Sequence, residues 1–161
     1  MTMVVSDTSP LNYLIQIGSV EILPRLFASI FVPPSVISEL CHVGAPAPVK
    51  NWAAALPSWI QIRKPANAIL FPTLGGGESE ALSLAIETRA NLLLLDDLAA
   101  RDIAEARGIK TAGTLGLLAQ AHLRGWLDFE TALAKLRATN YRISEEVVER
   151  VRALMSMQGK A

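Results

Sequence analysis

The chain has 161 residues, 15 basic and 15 acidic side chains, a hydrophobic content of 51% and a mean hydropathy of +0.33. This length supports one domain with a substantial core, and the balanced charge disfavours a general nucleic-acid coat protein, which would be basic. No apolar run approaches the roughly 18 residues of a membrane span, and the first residues lack the features of a signal peptide.

Cysteine usage limits the class of protein further. Cys41 is the only cysteine, so the sequence predicts neither a disulfide framework nor a cysteine zinc site. A reducing, cytoplasmic location is therefore expected.

The first part of the chain alternates between strand and helix patterns. Residues 3–6 predict a short strand, and residues 9–17 predict a helix with Ser9 as N-cap and Pro10 in its first turn. The elements that follow are helix-spaced apolar residues at 20–27, a strand at 29–32, helices at 35–41 and 46–56, and a strand at 59–62.

The second part begins with an irregular, glycine-rich stretch at 67–77. The elements after it are a helix at 78–89, a strand at 92–95, a helix at 98–107, a strand at 109–111, and helices at 114–124, 129–139 and 144–157. This alternation predicts a single α/β domain over residues 1–161, with a mostly parallel central sheet flanked by helices. Residues 129–157 are expected to form an additional C-terminal helical region.

Acidic residues follow two of the predicted strands. Asp7 comes directly after the first strand, and the sequence "LLLLDD" places Asp96 and Asp97 directly after a run of four leucines. Ligands of parallel α/β folds bind at the carboxyl ends of the strands. Helix capping is the alternative role for such aspartates. Because Ser9 is the predicted cap of the first helix, and only one of two adjacent aspartates can cap the next, we expect spare carboxylates here.

Three glutamates lie on helices near the same predicted edge. Glu39 lies in "PPSVISELC", on the helix after the second strand, where a solvated surface role is the alternative. Glu78 and Glu80 lie in the first turn of the helix at 78–89, where acids also stabilise the helix dipole. Since residues two apart point to different sides of a helix, one of this pair is expected to face a shared site.

Several carboxylates converging above strand ends predict a hard oxygen-ligand site. Such a site suits Mg²⁺ or Mn²⁺ bound by a few carboxylates, water and a substrate phosphate. The chemistry that follows is metal-assisted hydrolysis of a phosphodiester.

Four motifs together resemble the PIN-domain ribonucleases, the family that includes the VapC-type toxins. They are "VVSDTSPLNYL", "VPPSVISEL", "GESEALSLA" and "LLLLDDLAAR". The resemblance implies an acidic cluster of Asp7, Glu39, Glu80 and Asp97, with Glu78 and Asp96 as near-equal substitutes. Asp7, Asp97 and Glu80 are the expected metal ligands. Glu80 is a glutamate where many of these toxins have aspartate, and Ser9 stands where many have asparagine.

The resemblance implies a cytoplasmic, metal-dependent endoribonuclease that acts on RNA, plausible as the toxin of a toxin–antitoxin pair, with an antitoxin protein and a second copy of the chain as partners. One alternative is a catalytically silent scaffold that binds a protein partner. The other is a receiver-like signalling module, which fits poorly because Lys110 precedes the late strand exit.

Overall fold

The computed structural model describes residues 2–159, over which the chain alternates strands and helices as expected. The strands are β1 (Val4–Ser6), β2 (Ile30–Val32), β3 (Ile60–Ile62), β4 (Leu92–Leu94) and β5 (Thr111–Ala112). The helices are α1 (Thr8–Gln16), α2 (Ile22–Leu26), α3 (Pro34–Leu40), α4 (Ala47–Ala54), α5 (Gly76–Thr88), α6 (Leu98–Ala106), α7 (Thr114–Leu123), α8 (Phe129–Arg137) and α9 (Glu145–Gln158).

The five strands form one fully parallel sheet in the order β3-β2-β1-β4-β5. β1 is therefore central, and its Val5 is paired with Phe31 on one side and Leu93 on the other. Because all the strands run the same way, their carboxyl ends lie at a single edge of the sheet. The predicted α/β class with a parallel sheet is confirmed.

Both faces of the sheet are buried, which explains the uninterrupted leucine run. Val4 and Leu94 belong to a core shared with α1, α3, α4, α7, α8 and α9. Val5, Leu93 and Leu95 belong to a second core shared with α5 and α6. A strand buried on both faces needs apolar side chains at every position, as "LLLL" supplies.

The C-terminal helices extend the first of these cores. α8 and α9 both contact α7, with Phe129, Leu136 and Val148 buried among them. Exposed ion pairs Arg137–Glu145 and Arg152–Glu130 link α8 to α9. Across residues 2–159, no helix is both long and apolar enough to cross a membrane.

Several predicted element ends differ from the structure by one or two residues, and the differences at α1 and β5 concern the edge of the sheet where the acids lie. α1 begins one residue before Ser9, so Asp7 occupies its N-cap position, although the Asp7 side chain makes no capping hydrogen bond. β5 comprises Thr111 and Ala112, so it begins two residues after the predicted start and pairs with Leu93 and Leu94. That register is set by β4, a partner that local periodicity does not reveal.

Candidate functional site

A cleft of about 1180 Å³ opens at the carboxyl ends of the central strands. Four of the six predicted acids line it, namely Asp7, Glu78, Asp96 and Asp97. We call this region the acidic cleft. Neighbouring strands of a sheet are about 4.8 Å apart, so the ends of β1 and β4 bring Asp7 and Asp96 near each other although they are far apart in sequence.

Asp7 is the most perturbed carboxyl group of the cleft. Its backbone N–H donates to the Leu94 carbonyl at 2.9 Å, which fixes it at the end of β1, and the residue is only 4% exposed. Its Oδ1 is buried and accepts no hydrogen bond from residues 2–159. Burial raises its pKa to about 7, and the charges of Glu78, Glu39 and Asp96 contribute to the increase against the lowering effect of the Thr8 backbone.

Asp96, in contrast, is fully engaged by hydrogen bonds. Its Oδ1 accepts from the Thr114 backbone N–H at 2.7 Å and from the Tyr141 hydroxyl at 2.9 Å. Its Oδ2 accepts from the hydroxyls of Ser9 at 2.6 Å and Thr114 at 2.8 Å. A carboxylate has about four lone-pair sites, so the expected spare acceptor capacity at Asp96 was wrong. Its role here is to join β4, α1, α7 and the segment before α9.

Asp97 is the N-cap of α6, with its Oδ2 accepting from the Ala100 backbone N–H at 2.9 Å. The residue is exposed at the mouth of the acidic cleft. Its other carboxylate oxygen points to no protein donor within the described part of the chain. The capping alternative is therefore real for Asp97, and its predicted role as a metal ligand stays a prediction.

Glu39 reaches the region from the last turn of α3. Its Oε2 accepts a very short hydrogen bond from the Thr8 hydroxyl, next to Asp7. On its other side, the carboxyl group lies directly against the buried backbone of Gly77, so close that a Cβ at Gly77 would overlap it. Glu39 is thus held between the start of α1 and the start of α5.

Glu78 and Glu80 have different surroundings, as their spacing predicted. Glu78 lines the acidic cleft and accepts from the Gly75 backbone N–H at 3.2 Å, closing the first turn of α5. Burial raises the pKa of Glu78, and the charges of Asp97 and Glu39 add to the increase. Glu80 instead faces α3, where its Oε1 accepts from the Ser35 backbone N–H at 3.4 Å. Of the two, Glu78 is the one that faces the cleft, although the motif register favoured Glu80.

A basic side chain lies beside these acids. Arg101 of α6 lines the cleft, and its Nε donates to the Thr111 hydroxyl at 3.1 Å. It forms no ion pair with Asp97 within residues 2–159, so the simple i,i+4 pairing that the sequence allows is absent. Its Nη1 lies close to Gly113, beside Asp96.

Within residues 2–159, no group of three or more His, Cys, Asp or Glu side chains is arranged so that it could hold a metal ion. The residues nevertheless fit a hard divalent cation by their chemistry. Asp7 has a buried oxygen without a donor, and Glu39 and Glu78 place negative charge close enough to raise its pKa. An unpaired buried carboxylate destabilises the fold, and a bound divalent cation would offset that loss of stability.

Gly77 supplies a test of the Glu39 position. Gly77→Ala puts a methyl group where the Glu39 carboxyl lies, so the carboxyl has to leave its present position. We expect Mn²⁺ affinity to fall about tenfold, the scale seen when groups supporting metal ligands are changed. Isothermal titration calorimetry measures this.

Gly76→Ala is the matched control, because a Cβ at Gly76 meets nothing within 4 Å. Both substitutions gain the same helix propensity in α5. Equal Mn²⁺ affinities for the two variants would show that Glu39 does not contribute to metal binding.

Sequence reasoning missed Thr114, Tyr141, Gly77 and Gly113 as parts of this region. A Cβ at Gly113 would lie 2.9 Å from Asp96 Oδ1, so that glycine allows α7 to begin against Asp96. Glycines at both helix starts were the only available signal in the sequence. Nothing local to Tyr141 indicates its bond to a carboxylate 45 residues away.

Comparison with known proteins agrees with the fold. A family model described as a PIN domain matches residues 3–157. The chain therefore belongs to the PIN domain family, which confirms the PIN-domain part of the resemblance found in the sequence. No curated protein sequence matches the chain.

A similar solved structure is that of a PilT N-terminus domain protein, SSO1118, from the hyperthermophilic archaeon Sulfolobus solfataricus P2. The identity is 15%, the match covers 89% of this chain and 100% of that chain, and the TM-score is 0.48. At that score and identity, the similarity adds nothing to the family assignment.

Proposed function

We propose that the protein is a metal-dependent endoribonuclease that hydrolyses RNA phosphodiester bonds, and that it acts as the toxin of a toxin–antitoxin pair. The observation that carries the enzymatic part is the buried, donor-free oxygen of Asp7 at the end of the central strand, in a cleft lined by five further acids. The toxin role rests on the motif resemblance alone.

Asp7 is the principal metal ligand in this proposal. Glu78 is the cleft-facing acid of α5 and is preferred here to Glu80, whose carboxylate is directed to α3. Asp97 contributes its oxygen at the mouth of the cleft, and Glu39, fixed by Thr8, orients water on the other side of Asp7. A bound Mg²⁺ or Mn²⁺ supplies an activated water and stabilises charge on the phosphate oxygens.

Asp96 and Arg101 have supporting roles. Asp96 acts through the groups that it holds, because Ser9, Thr114 and Tyr141 use its acceptor sites. Arg101 is the cation nearest to these acids in the cleft wall and is suited to hold a phosphate oxygen of the substrate. Without such a cation, the six acids that line the cleft would repel the RNA backbone.

The test is a cleavage assay on single-stranded and structured RNA, with Mn²⁺, Mg²⁺ or EDTA. We expect cleavage with either metal and none in EDTA. Asp7→Asn should lower kcat/KM at least about a thousandfold, the scale of losing a main group of the catalytic site. Cleavage that persists unchanged in EDTA or in Asp7→Asn would contradict the proposal.

A catalytically silent, protein-binding scaffold is the second candidate. It is favoured by the absence of a ready three-acid metal group within residues 2–159 and by the bonds that occupy Asp96. A protein that shows neither cleavage nor Mn²⁺ binding, while forming a dimer or binding an antitoxin, would support this candidate.

A further inference from the structure

The acidic cleft continues beyond the acids along a wall built by residues 140–154, which we call the C-terminal wall. The wall consists of the segment before α9 and one side of α9. Its cleft-lining residues are Asn140, Tyr141, Arg142, Ile143, Ser144, Val147, Arg150, Val151 and Leu154. The charged members of that set are both arginines.

The acids of α9 are directed elsewhere. Glu145 bonds to Arg137, and Glu149 bonds to Arg152, outside the cleft. Glu146 lies 3.5 Å from Arg150, but both side chains are largely exposed, and such a pair has little net strength. Arg150 is therefore available to an anionic ligand, and α9 presents cationic and apolar groups to the cleft.

The C-terminal wall is fixed to the acidic end by three contacts. The Tyr141 hydroxyl donates to Asp96 at 2.9 Å, and the Tyr13 hydroxyl donates to Asn140 at 2.9 Å. The rings of Tyr13 and Tyr141 pack edge to face at a centroid distance of 4.9 Å. A ligand strand that leaves the acids therefore meets a positioned surface, rather than a loose tail.

The cleft is thus divided by charge. Asp7, Glu78, Asp96 and Asp97 gather at the strand ends, and Asp102 and Glu105 of α6 also line the cleft, whereas the charged residues that the C-terminal wall presents to it are Arg142 and Arg150. Ile143, Val147 and the half-exposed Leu154 belong to the same cleft lining, so the wall combines cations with apolar surface. Cations combined with apolar surface match a strand of phosphates and bases.

We propose that the C-terminal wall binds the single-stranded RNA that flanks the scissile phosphodiester, with Arg142 and Arg150 contacting its phosphates. This inference rests on the proposed function, because it takes the acidic end as the cleavage site. A volume of about 1180 Å³ is close to that of a large ligand pocket, which is enough for a few nucleotides.

A protein partner suits this wall less well. Arginine is the side chain that recognises phosphate by two parallel hydrogen bonds, and the cleft-lining residues of the wall include no carboxylate to receive a basic peptide. An acidic peptide is the competing ligand, and the experiment includes it.

The experiment measures binding of a fluorescein-labelled single-stranded RNA in EDTA, so that binding is separated from cleavage. The test variant is Arg142→Gln with Arg150→Gln. The control is Lys64→Gln with Lys135→Gln, which removes the same charge at exposed sites outside the cleft. We expect Kd to rise about tenfold for the test variant alone, and the slope of log K against log salt to fall by about 1.4, or about 0.7 per phosphate contact.

The charge-retaining pair Arg142→Lys with Arg150→Lys should recover most of the affinity, which a purely structural role would not require. In cleavage assays, the test variant should raise KM and leave kcat unchanged, the signature of uniform binding. RNA affinities that do not differ between test and control variants would overturn the proposal, even if the protein cleaves RNA.

If the protein binds RNA through these arginines but cleaves no RNA, the C-terminal wall is an RNA-binding site and the proposed nuclease activity is wrong. An acidic peptide that binds more tightly than RNA, and loses affinity in the test variant alone, would overturn the RNA proposal and assign the wall to a protein partner.

Discussion

Asp7→Asn is expected to raise the melting temperature of the metal-free protein by about 5 °C at pH 8 and to abolish its stabilisation by Mn²⁺. Asp7 is ionised at this pH, although burial and neighbouring acids raise its pKa from 3.8 to about 7. At 1.36 kcal/mol per unit, ionised Asp7 destabilises the fold by at most about 4 kcal/mol. The asparagine amide needs new partners, so we expect a net gain of about 2 kcal/mol, or about 5 °C for a domain of this size.

The difference between Asp7→Asn and the parent should depend on pH in a defined direction. Because the pKa of this acid is higher in the folded state, ionisation favours unfolding, and the contribution of Asp7 to stability falls as the pH rises from about 4 to about 7. The advantage of Asp7→Asn should therefore be largest at pH 8 and nearly absent at pH 4. Thermal melts at several pH values in EDTA measure it.

In the same experiment, Mn²⁺ should stabilise the parent protein and not Asp7→Asn, which is opposite to the order of stability expected without metal. At a hundredfold excess over Kd, a single bound ion should stabilise the parent protein by about 2.7 kcal/mol, and Asp7→Asn should lose that increment. Destabilisation of the metal-free variant with an unchanged Mn²⁺ response would show that Asp7 is a structural residue and that the metal site lies elsewhere.

Asp96→Asn is expected to have the reverse effect on the metal-free protein, with a loss on the order of 2 kcal/mol. Asp96 accepts four hydrogen bonds, from Ser9, from Tyr141 and twice from Thr114. An amide can accept with only one of its two terminal atoms, and hydrogen bonds to a charged group contribute about 1.5–3 kcal/mol each. Urea unfolding in EDTA at neutral pH measures the change.

Asp97→Asn is the matched control for that experiment. Asp97 caps α6 through one hydrogen bond from Ala100, and asparagine is about as good an N-cap as aspartate. We expect its stability to lie within about 0.5 kcal/mol of the parent. Similar losses for the two variants would mean that the adjacent aspartates have equivalent roles and that the network around Asp96 is weak.

The fold could be read from the sequence, and a candidate site could be located, because both depend on local patterns. The run Leu92–Leu94 with Leu95 has no polar position, so it had to be a strand buried on both faces. Asp7 and Asp96 stand where such strands end, and a parallel sheet brings those ends to one edge. The motif resemblance then connected these acids with Glu39 and with the start of α5.

The hydrogen-bond partners of the individual acids, and which of them face the cleft, could not be predicted from the sequence in this way. Asp96 lost its predicted spare capacity because donors arrive from α1, α7 and the segment before α9, all of which are remote in sequence. Glu80 and Glu78 are two residues apart, and only the packing of α3 against α5 decides which of them faces the cleft.

The hydrogen bonds around Asp96 also determine how late in folding the cleft can form. The bond from Ser9 joins residues 87 positions apart, and the bond from Tyr141 joins residues 45 positions apart. Contacts that close such long loops form late in folding, because the chain loses conformational entropy before the contacts contribute favourable energy. During synthesis, α1 cannot make its contact with Asp96 until the segment after Leu92–Leu94 has been made. The bond between Asp96 and Tyr141 forms later still, because Tyr141 is made after both. A growing chain that still lacks Tyr141 therefore carries every predicted acid but not the finished cleft, so the cleft is completed only when nearly the whole domain has been made.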